Sequence, residues 1–456
     1  MENITEEITI DLMLDILDKK EYLKLKNILS EMNAFDIAFH LLDAPHERIP
    51  LIFRLLPKDL AAEVFVELDS DFQEELIKDF SDIELSAILS EMYVDDTVDL
   101  IEEMPPSIVS RILNRSDSET REQINQILKY PKDSAGSIMN TDYIRLYDNM
   151  TVAQAFEKIR RVGLDKETIY TCYVTNLQKK LVGVIGVRRL LLAEADEAVV
   201  DIMETNIIFS YTNENREETT GKIKDYGLIA IPIVDKDDRM VGIVTVDDAL
   251  EVIEEETEED FSKMAAITPS DESYLKTSVF KLWRARIPWL LLLMFSSTFT
   301  SSIISSYESV IAASGLVVLT AFMPMIMGTA GNAGGQSSVT VIRALSLEDI
   351  TFRDFFRVFW KEARVAVLCS IPLSLACFAK IIFIDLEPHE WRIALVVCIT
   401  MVITVCIAKM VGFALPLLAK KVKLDPAVMA SPFITTIVDS ISLIIYFKIA
   451  SMILGL

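Results

Sequence analysis

Three rhythms of apolar and polar positions divide the chain. Up to about residue 132, Leu and Ile recur at helical spacing, as in Ile10-Asp11-Leu12-Met13-Leu14-Asp15-Ile16-Leu17. Pro and acidic breaks interrupt the pattern at Leu56-Pro57-Lys58-Asp59, Ser81-Asp82 and Met104-Pro105-Pro106-Ser107. This predicts an all-α region, residues 1–132, of short helices such as 59–68 and 97–104 laid side by side in a superhelical array. The helices repeat without a strict period. From 138 to 253 the pattern changes to short apolar runs bounded by turn residues. Long apolar stretches dominate from 284 to 456.

The middle region is duplicated. Met139-Asn140-Thr141-Asp142-Tyr143-Ile144 is answered by Met203-Glu204-Thr205-Asn206-Ile207-Ile208, and Leu181-Val182-Gly183-Val184-Ile185-Gly186-Val187 by Met240-Val241-Gly242-Ile243-Val244-Thr245-Val246. Each half reads as helix, strand, turn, strand, helix, with turns at 176–180 and 235–239. The phrase from Val241 to Asp248 and Ala230-Ile231-Pro232-Ile233-Val234-Asp235 resemble a tandem pair of CBS domains, an α/β regulatory module that often holds adenine nucleotides. Its glycines are expected at tight strand turns. By analogy with such pairs, Tyr170, Arg188 and Asp248 are the contacts for ATP.

A charged connector follows, residues 254–281, with Glu254-Glu255-Glu256-Thr257-Glu258-Glu259-Asp260 at its start. Such a run is a solvated helix face or disordered, and its place before the apolar region suits a lever. Five apolar stretches, 287–305, 312–341, 356–384, 391–418 and 427–456, are predicted to span a bilayer as α-helices. Arg284 and Arg286 precede the first. Arg343, Arg353, Arg357, Lys361 and Arg364 lie between the second and third, and Lys420, Lys421 and Lys423 between the fourth and fifth. The remaining loops are acidic. All basic groups therefore fall on one side, which makes the large N-terminal body cytoplasmic and puts the C-terminus outside, in a multi-pass protein of the cell membrane.

Within the spans, Asp439 stands among strong apolar residues, roughly 20 Å along the helix from Pro426 at ~1.5 Å per residue. A carboxylate at that depth costs at least ~2.5–3.5 kcal/mol on insertion scales. It marks an ion or proton path, or it is an internal Asp bonded to Ser or Thr of a neighbouring helix. Pro432, Thr435, Asp439 and Ser442 recur at three- and four-residue intervals and form one polar stripe. Asp425-Pro426 is good helix-start chemistry, with Asp as the cap. In the second stretch, Asn332 and Gln336 place two amides on one face, while Gly331 and Gly334 allow close helix approach. Pro324 with the glycines permits a break in the helix, or the glycines form a packing seam. The spans are read as containing essentially one acid, Asp439. A membrane phosphotransferase would need several clustered acids, so the reading is not an enzyme.

Composition sharpens the division. The 456 residues carry a net charge of −25 and are 51% hydrophobic. From Lys276 onward there are 16 Lys and Arg against 10 Asp and Glu, which leaves −31 on the first 275 residues. Such a body repels phosphate backbones, excluding nucleic acid, and attracts cations. Cys172 and the four apolar-segment cysteines, Cys369, Cys377, Cys398 and Cys406, form no CxxC pair. His40, His46 and His389 are scattered. Residues 1–20 lack the basic start and apolar core of a signal peptide.

The order of regions, together with Gly331-Asn332-Ala333-Gly334, Gln336, Asp425-Pro426-Ala427 and the run Pro432 to Asp439, resembles the MgtE family of magnesium channels and transporters. The resemblance implies a homodimer in a lipid bilayer, with a Mg2+ pore at the dimer axis built from the second and fifth spans. Asp439 then matches the pore carboxylate, the carbonyl near Thr435 helps shape that site, and Asp425 matches the acid at the cytoplasmic mouth. Glu308 matches an outer acidic position. Asn332, Gln336, Gly331, Gly334 and Pro432 belong to the same pore motif. Magnesium sensing falls to Asp95, Asp96 and Asp99, to Asp247 and Asp248, and to Glu259 and Asp260 on the connector, the family's plug helix. Asp95 is also placed to cap the helix over 97–104. Ion bridging of these acids holds the pore shut; their repulsion opens it. The hard ligands argue against zinc or copper as cargo, while Mn2+ and Co2+ stay open.

Overall fold

The computed structural model describes residues 9–269, 274, 277–314, 318–347, 349–385, 391–429 and 431–455. The chain's first eight residues and the centre of the predicted acidic loop near Asp385 lie outside the described residues. Two units emerge, residues 1–253 and 254–456.

The first unit opens with a helical array, and its period is strict. Helices begin at Ile10, Ala34, Lys58, Asp82 and Pro106, and the elements between them at Tyr22, His46, Ser70, Val94 and Ser118, each series advancing by 24 residues. The expectation of an irregular array is corrected. The period hides in the sequence because only a few columns repeat, all apolar: Met13, Ile37, Ala61, Leu85 and Val109; Ile28, Ile52, Leu76, Leu100 and Ile124. The helix starts are chemically explicit. Asp69 accepts from the Phe72 N–H, Ser81 and Glu84 form a capping box, and Asp117 accepts from Glu119 and Thr120. The helix Val94–Glu103 is entered at Tyr93, so Asp95 sits inside its first turn and does not cap it.

The array is followed by two three-stranded sheets of like topology. The first contains β1 (Tyr143–Tyr147), β2 (Thr168–Thr175) and β3 (Leu181–Gly186); the second β4 (Ser210–Tyr211), β5 (Ala230–Val234) and β6 (Met240–Thr245). In each sheet the first pair is parallel and the second antiparallel. The predicted turns are matched in detail. Asn176 Oδ1 accepts from the N–H groups of Gln178 and Lys180, and Asp235 Oδ1 from those of Asp237 and Arg239. Lys179 and Asp238 take left-handed φ of 65° and 61° at equivalent places. The glycines, however, are not in turns. Gly183 and Gly242 lie within β3 and β6, where a Cβ would collide with Met203 and with Met139 and the Asn140 carbonyl. The duplicated methionines and glycines are thus one device, used twice.

In the second unit, Val279–Ser314, Val318–Ser346, Phe355–Lys380, Trp391–Lys421 and Ser431–Leu454 are helices, and the second runs unbroken through Pro324. Among the described residues four segments are long and apolar enough to cross a membrane: Val279–Glu308, Phe352–Ile384, Trp391–Lys421 and Pro426–Leu454. The expected second span is not among them, because its Gly, Ser, Thr, Asn and Gln dilute its hydropathy. It is instead deeply buried and packs against the fourth and fifth helices. Gly331 abuts Thr435, Gly334 abuts Ile434 and the Ala408 carbonyl, and a Cβ on Gly412 would strike the Gly334 carbonyl oxygen. The Gly412→Ala variant is expected to lose about 1–3 kcal/mol through overpacking, read as a lowered melting temperature in detergent. An unchanged melting point would mean that these two helices do not meet so closely.

Candidate ion path and acidic cluster

Asp439 lies within Pro426–Leu454, near its middle. Its side chain is half-buried and has no hydrogen bond or ion pair with any described residue. The neighbouring hydroxyls of Thr435, Thr436 and Ser440 are committed elsewhere. Thr435 and Thr436 donate to the Pro432 carbonyl at 2.9 and 3.1 Å, and Ser440 donates to the Thr436 carbonyl and meets Thr300 Oγ1 at 3.0 Å. The alternative of an internal, bonded Asp therefore fails among the described residues. Ser442, expected on the same stripe, is buried, and its hydroxyl has no partner.

The second helix sorts its motif residues by side. Gly331 and Gly334 are buried in the packing seam, whereas Asn332 and Gln336 are exposed, and neither amide bonds to a described residue. Glu308 is exposed on the first helix. Two ionisable groups escaped sequence reasoning. Glu362 is buried in the third helix and accepts from Ser337 Oγ at 2.7 Å. Lys409 is buried in the fourth, with no hydrogen bond or ion pair to a described residue. The expectation of a lone acid in the spans is corrected. Glu362 falls inside the expected span 356–384, between Lys361 and Arg364 in sequence.

At the start of the fifth segment, Asp425 accepts from the Ala427 N–H at 2.8 Å, the expected cap. It also pairs with Lys263 of the connector at 2.7 Å, and Lys263 reaches Glu259 at 2.7 Å. Burial alone would lower the Lys263 ammonium, but its bonds to Asp425 and Glu259 prevail and hold it at about 12. At the next residue after Glu259, Ser346 Oγ donates to Asp260, whose carboxyl burial raises. Met264 packs with Ile342 and Ala427. The connector helix Val246–Met264 therefore ends on the second helix and the Asp425 turn, and Lys263 is the contact that a reading of acids alone overlooks.

The first unit gathers the other predicted acids. Asp95 is buried and accepts from Asn140 Nδ2 at 3.1 Å, and the same amide donates to Glu167 at 3.0 Å. Burial raises the Asp95 carboxyl well above its usual range, and Asp96, Asp248 and Glu167 raise it further. Burial with the charges of Asp248 and Glu251 pushes Asp96 up to about 7; burial with Glu251 and Asp96 pushes Asp99 to about 8. Glu167 rises to about 7 through burial, Asp248 and Asp247. Asp248 is itself raised by burial, against bonds from the Thr245 N–H and hydroxyl. Glu167, Glu251 and Asn140 were missing from the sequence reading. Among the described residues no three acidic, His or Cys side chains converge to chelate a metal directly. The arrangement is one of crowded like charge, suited to screening or to a hydrated ion held through its waters.

Tyr170 and Arg188 are exposed at one end of the first sheet, where Thr171 pairs with Gly186. Asp248 belongs to the acidic cluster of the second half.

Comparison with known proteins agrees along nearly the whole chain. Residues 323–449 match the profile described as a divalent cation transporter, 32–133 the MgtE intracellular N domain, and 135–196 and 199–255 the CBS domain. The magnesium transporter MgtE of Thermus thermophilus is 33% identical over 94% of this chain and 95% of its own; that of Bacillus subtilis is 32% identical over 93% of each. Among solved structures, the cytosolic domain of the Mg2+ channel MgtE in complex with ATP superposes with a TM-score of 0.51 and 31% identity, covering 53% of this chain and 99% of that one. The soluble part of a magnesium transporter gives 0.52 and 27%, covering 54% and 97%. With its helical array, paired CBS domains and apolar C-terminal helices all accounted for, this chain belongs to the MgtE family of multi-pass membrane transporters.

Proposed function

We propose that the chain is a Mg2+-selective channel or transporter for Mg2+ uptake, closed when cytosolic Mg2+ occupies its acidic cluster. The observation that carries this reading is the unpartnered carboxylate of Asp439 at mid-membrane depth. An uncompensated acid there is costly unless a cation or water meets it. The exposed amides of Asn332 and Gln336 support a homodimer, since a second copy covers polar groups that lipid would leave unsatisfied. Two Asp439 carboxylates then face one path, with Thr435 and Pro432 beside it and Asp425 at its cytoplasmic mouth. Two carboxylates hold Mg2+ through its retained waters, which selects on hydrated size. Glu308 serves the outer end.

On this reading residues 1–132 and 138–253 form the sensor, 254–281 the plug, and 284–456 a membrane domain of five spans that includes Val318–Ser346, with the N-terminal domains cytoplasmic and the C-terminus outside. Asp95, Asp96, Asp99, Asp247 and Asp248 repel one another until divalent ions screen them, and Glu259 and Asp260 carry the plug's charge. The neighbour solved with ATP supports nucleotide binding at Tyr170 and Arg188, whose exposed ring and guanidinium fit a base and a phosphate. The charge of −31 on the first 275 residues argues against nucleic acid as a partner.

Uptake into proteoliposomes across a panel of divalent ions tests the assignment. Mg2+ flux should exceed that of Mn2+ and Co2+, and no Mg2+ flux would refute it. A second measurement addresses the plug. Lys263→Met removes the pairs to Asp425 and Glu259, and it is expected to raise Mg2+ flux at ion concentrations that close the parent. Equal flux in both would show that the Lys263 contact does not help hold the closed state.

A further inference from the structure

We propose that Arg145, Lys158 and Arg161 form a binding site for a multiply charged phosphate group on the first CBS sheet, apart from the nucleotide contacts. The juxtaposition is unusual for this body. Arg145 Nη2 donates to the Tyr147 hydroxyl at 2.7 Å, and its guanidinium lies 5.1 Å from the centre of the Tyr147 ring. From the helix Val152–Val162, the Lys158 ammonium lies 4.7 Å from the centre of the same ring. Arg161 stands one turn beyond Lys158 on that helix. None of the three makes an ion pair with a described residue, although Asp148 and Glu157 adjoin Tyr147 and Lys158 in sequence. Elsewhere in the unit, cations such as Arg111, Lys166 and Lys222 are paired with carboxylates. The first 275 residues carry −31, so acids to pair with are abundant, yet Arg145 and Lys158 share one ring here, with the charge of Arg161 acting on Lys158, and none of the three pairs with a described residue. Burial lowers the Lys158 ammonium, and Arg145 and Arg161 lower it further, against Tyr147, which raises it.

An aromatic ring holding two cations and a third cation nearby present a forked donor set to an oxyanion. The ring is already engaged by Arg145 and Lys158, so the ligand is recognised through phosphate oxygens and not by stacking of a base. The place is distinct from Tyr170 and Arg188. Tyr147 pairs with Thr175, at the far end of β2 from Tyr170, roughly 16 Å away at ~3.3 Å per residue.

Two sources offer this phosphate chemistry, a soluble polyphosphate and an anionic lipid headgroup, and two measurements separate them. The full chain, purified in detergent with Tyr170→Ala to remove the nucleotide contact, is titrated with tripolyphosphate in Mg2+-free buffer by calorimetry. Saturable binding is expected, weakened about tenfold or more by Arg145→Gln with Lys158→Gln, as charge-assisted bonds are lost. Arg160→Gln removes one positive charge next to Arg161, but Arg160 lies against Phe156, so binding should persist. In the second measurement, phospholipid retained through purification is identified by mass spectrometry. Selective loss of an anionic lipid in the Arg145→Gln, Lys158→Gln protein names a headgroup as the source. If that protein melts as the parent does and changes neither tripolyphosphate affinity nor retained lipid, the site does not exist.

Discussion

Replacing Asp439 with alanine is expected to abolish Mg2+ uptake while leaving the protein folded. The side chain makes no bond to any described residue, so its removal breaks no internal contact. Folding should, if anything, ease, because a carboxylate leaves the apolar depth of the bilayer. In the proposed dimer transport suffers twice over, since both facing carboxylates are lost. At about 1.5–3 kcal/mol for each charged hydrogen bond to the ion's waters, the pair accounts for a loss of roughly 100-fold or more. Asp439→Asn keeps the size and removes only the charge, and should fail nearly as badly. Flux is followed with a Mg2+-sensitive dye inside proteoliposomes, and the fold by size exclusion and melting. Normal flux through either variant would sink the pore assignment.

The second large effect concerns the acidic cluster, where protons should imitate Mg2+. In the folded unit Asp96 and Glu167 titrate at about 7 and Asp99 at about 8, whereas freely solvated carboxyls titrate near 4. Between those limits the assembled cluster binds protons that separated elements release. Its stability is therefore full at acid pH and is lost as pH rises through about 7 to 8. Each tenfold change in proton affinity is worth about 1.4 kcal/mol, so three such groups impose a penalty of several kcal/mol at pH 8, less whatever solvent screens. In Mg2+-free buffer, proteolysis of the first unit within the full chain should slow by about tenfold or more between pH 8 and pH 6. Millimolar Mg2+ at pH 8 should protect similarly. Asp96→Asn with Asp99→Asn and Glu167→Gln should be protected throughout, insensitive to both. Cleavage rates that ignore pH and Mg2+ in the parent would remove the basis for sensing.

What the sequence discloses is what is local or costly. Asp439 is legible because a charge within an apolar run is costly wherever the helix turns. The two sheets are legible because Asn176 and Asp235 close the same turn by the same side-chain bonds. The regular array was missed because a 24-residue period survives in a few apolar columns and not in residue identity. Glu167 was missed because its meaning comes from Asn140, which joins it to Asp95 of another element. Lys263 looked like one cation on an acidic helix until Asp425 stood opposite it. Glu362 and Lys409 lie within expected spans and carry no local signal, because their burial arises only when the helices pack together. Partners far apart in sequence leave no periodic trace, so pairing is what only the folded chain reveals.

The 24-residue spacing also decides how the helical array comes apart. A row of like units, each touching only its neighbours, loosens from a free end and not all at once. The helix Ile10–Asp18 and its neighbour stand at that end, while Val94–Glu103, which bears Asp95, Asp96 and Asp99, lies near the other, in a core shared with Ile231, Val244 and Ala249. Amide hydrogen exchange should accordingly form a gradient, fastest in the outermost helices and slowest around Val98 and Leu100. The outer helices can then fray, or be trimmed, with the carboxylates left standing in place.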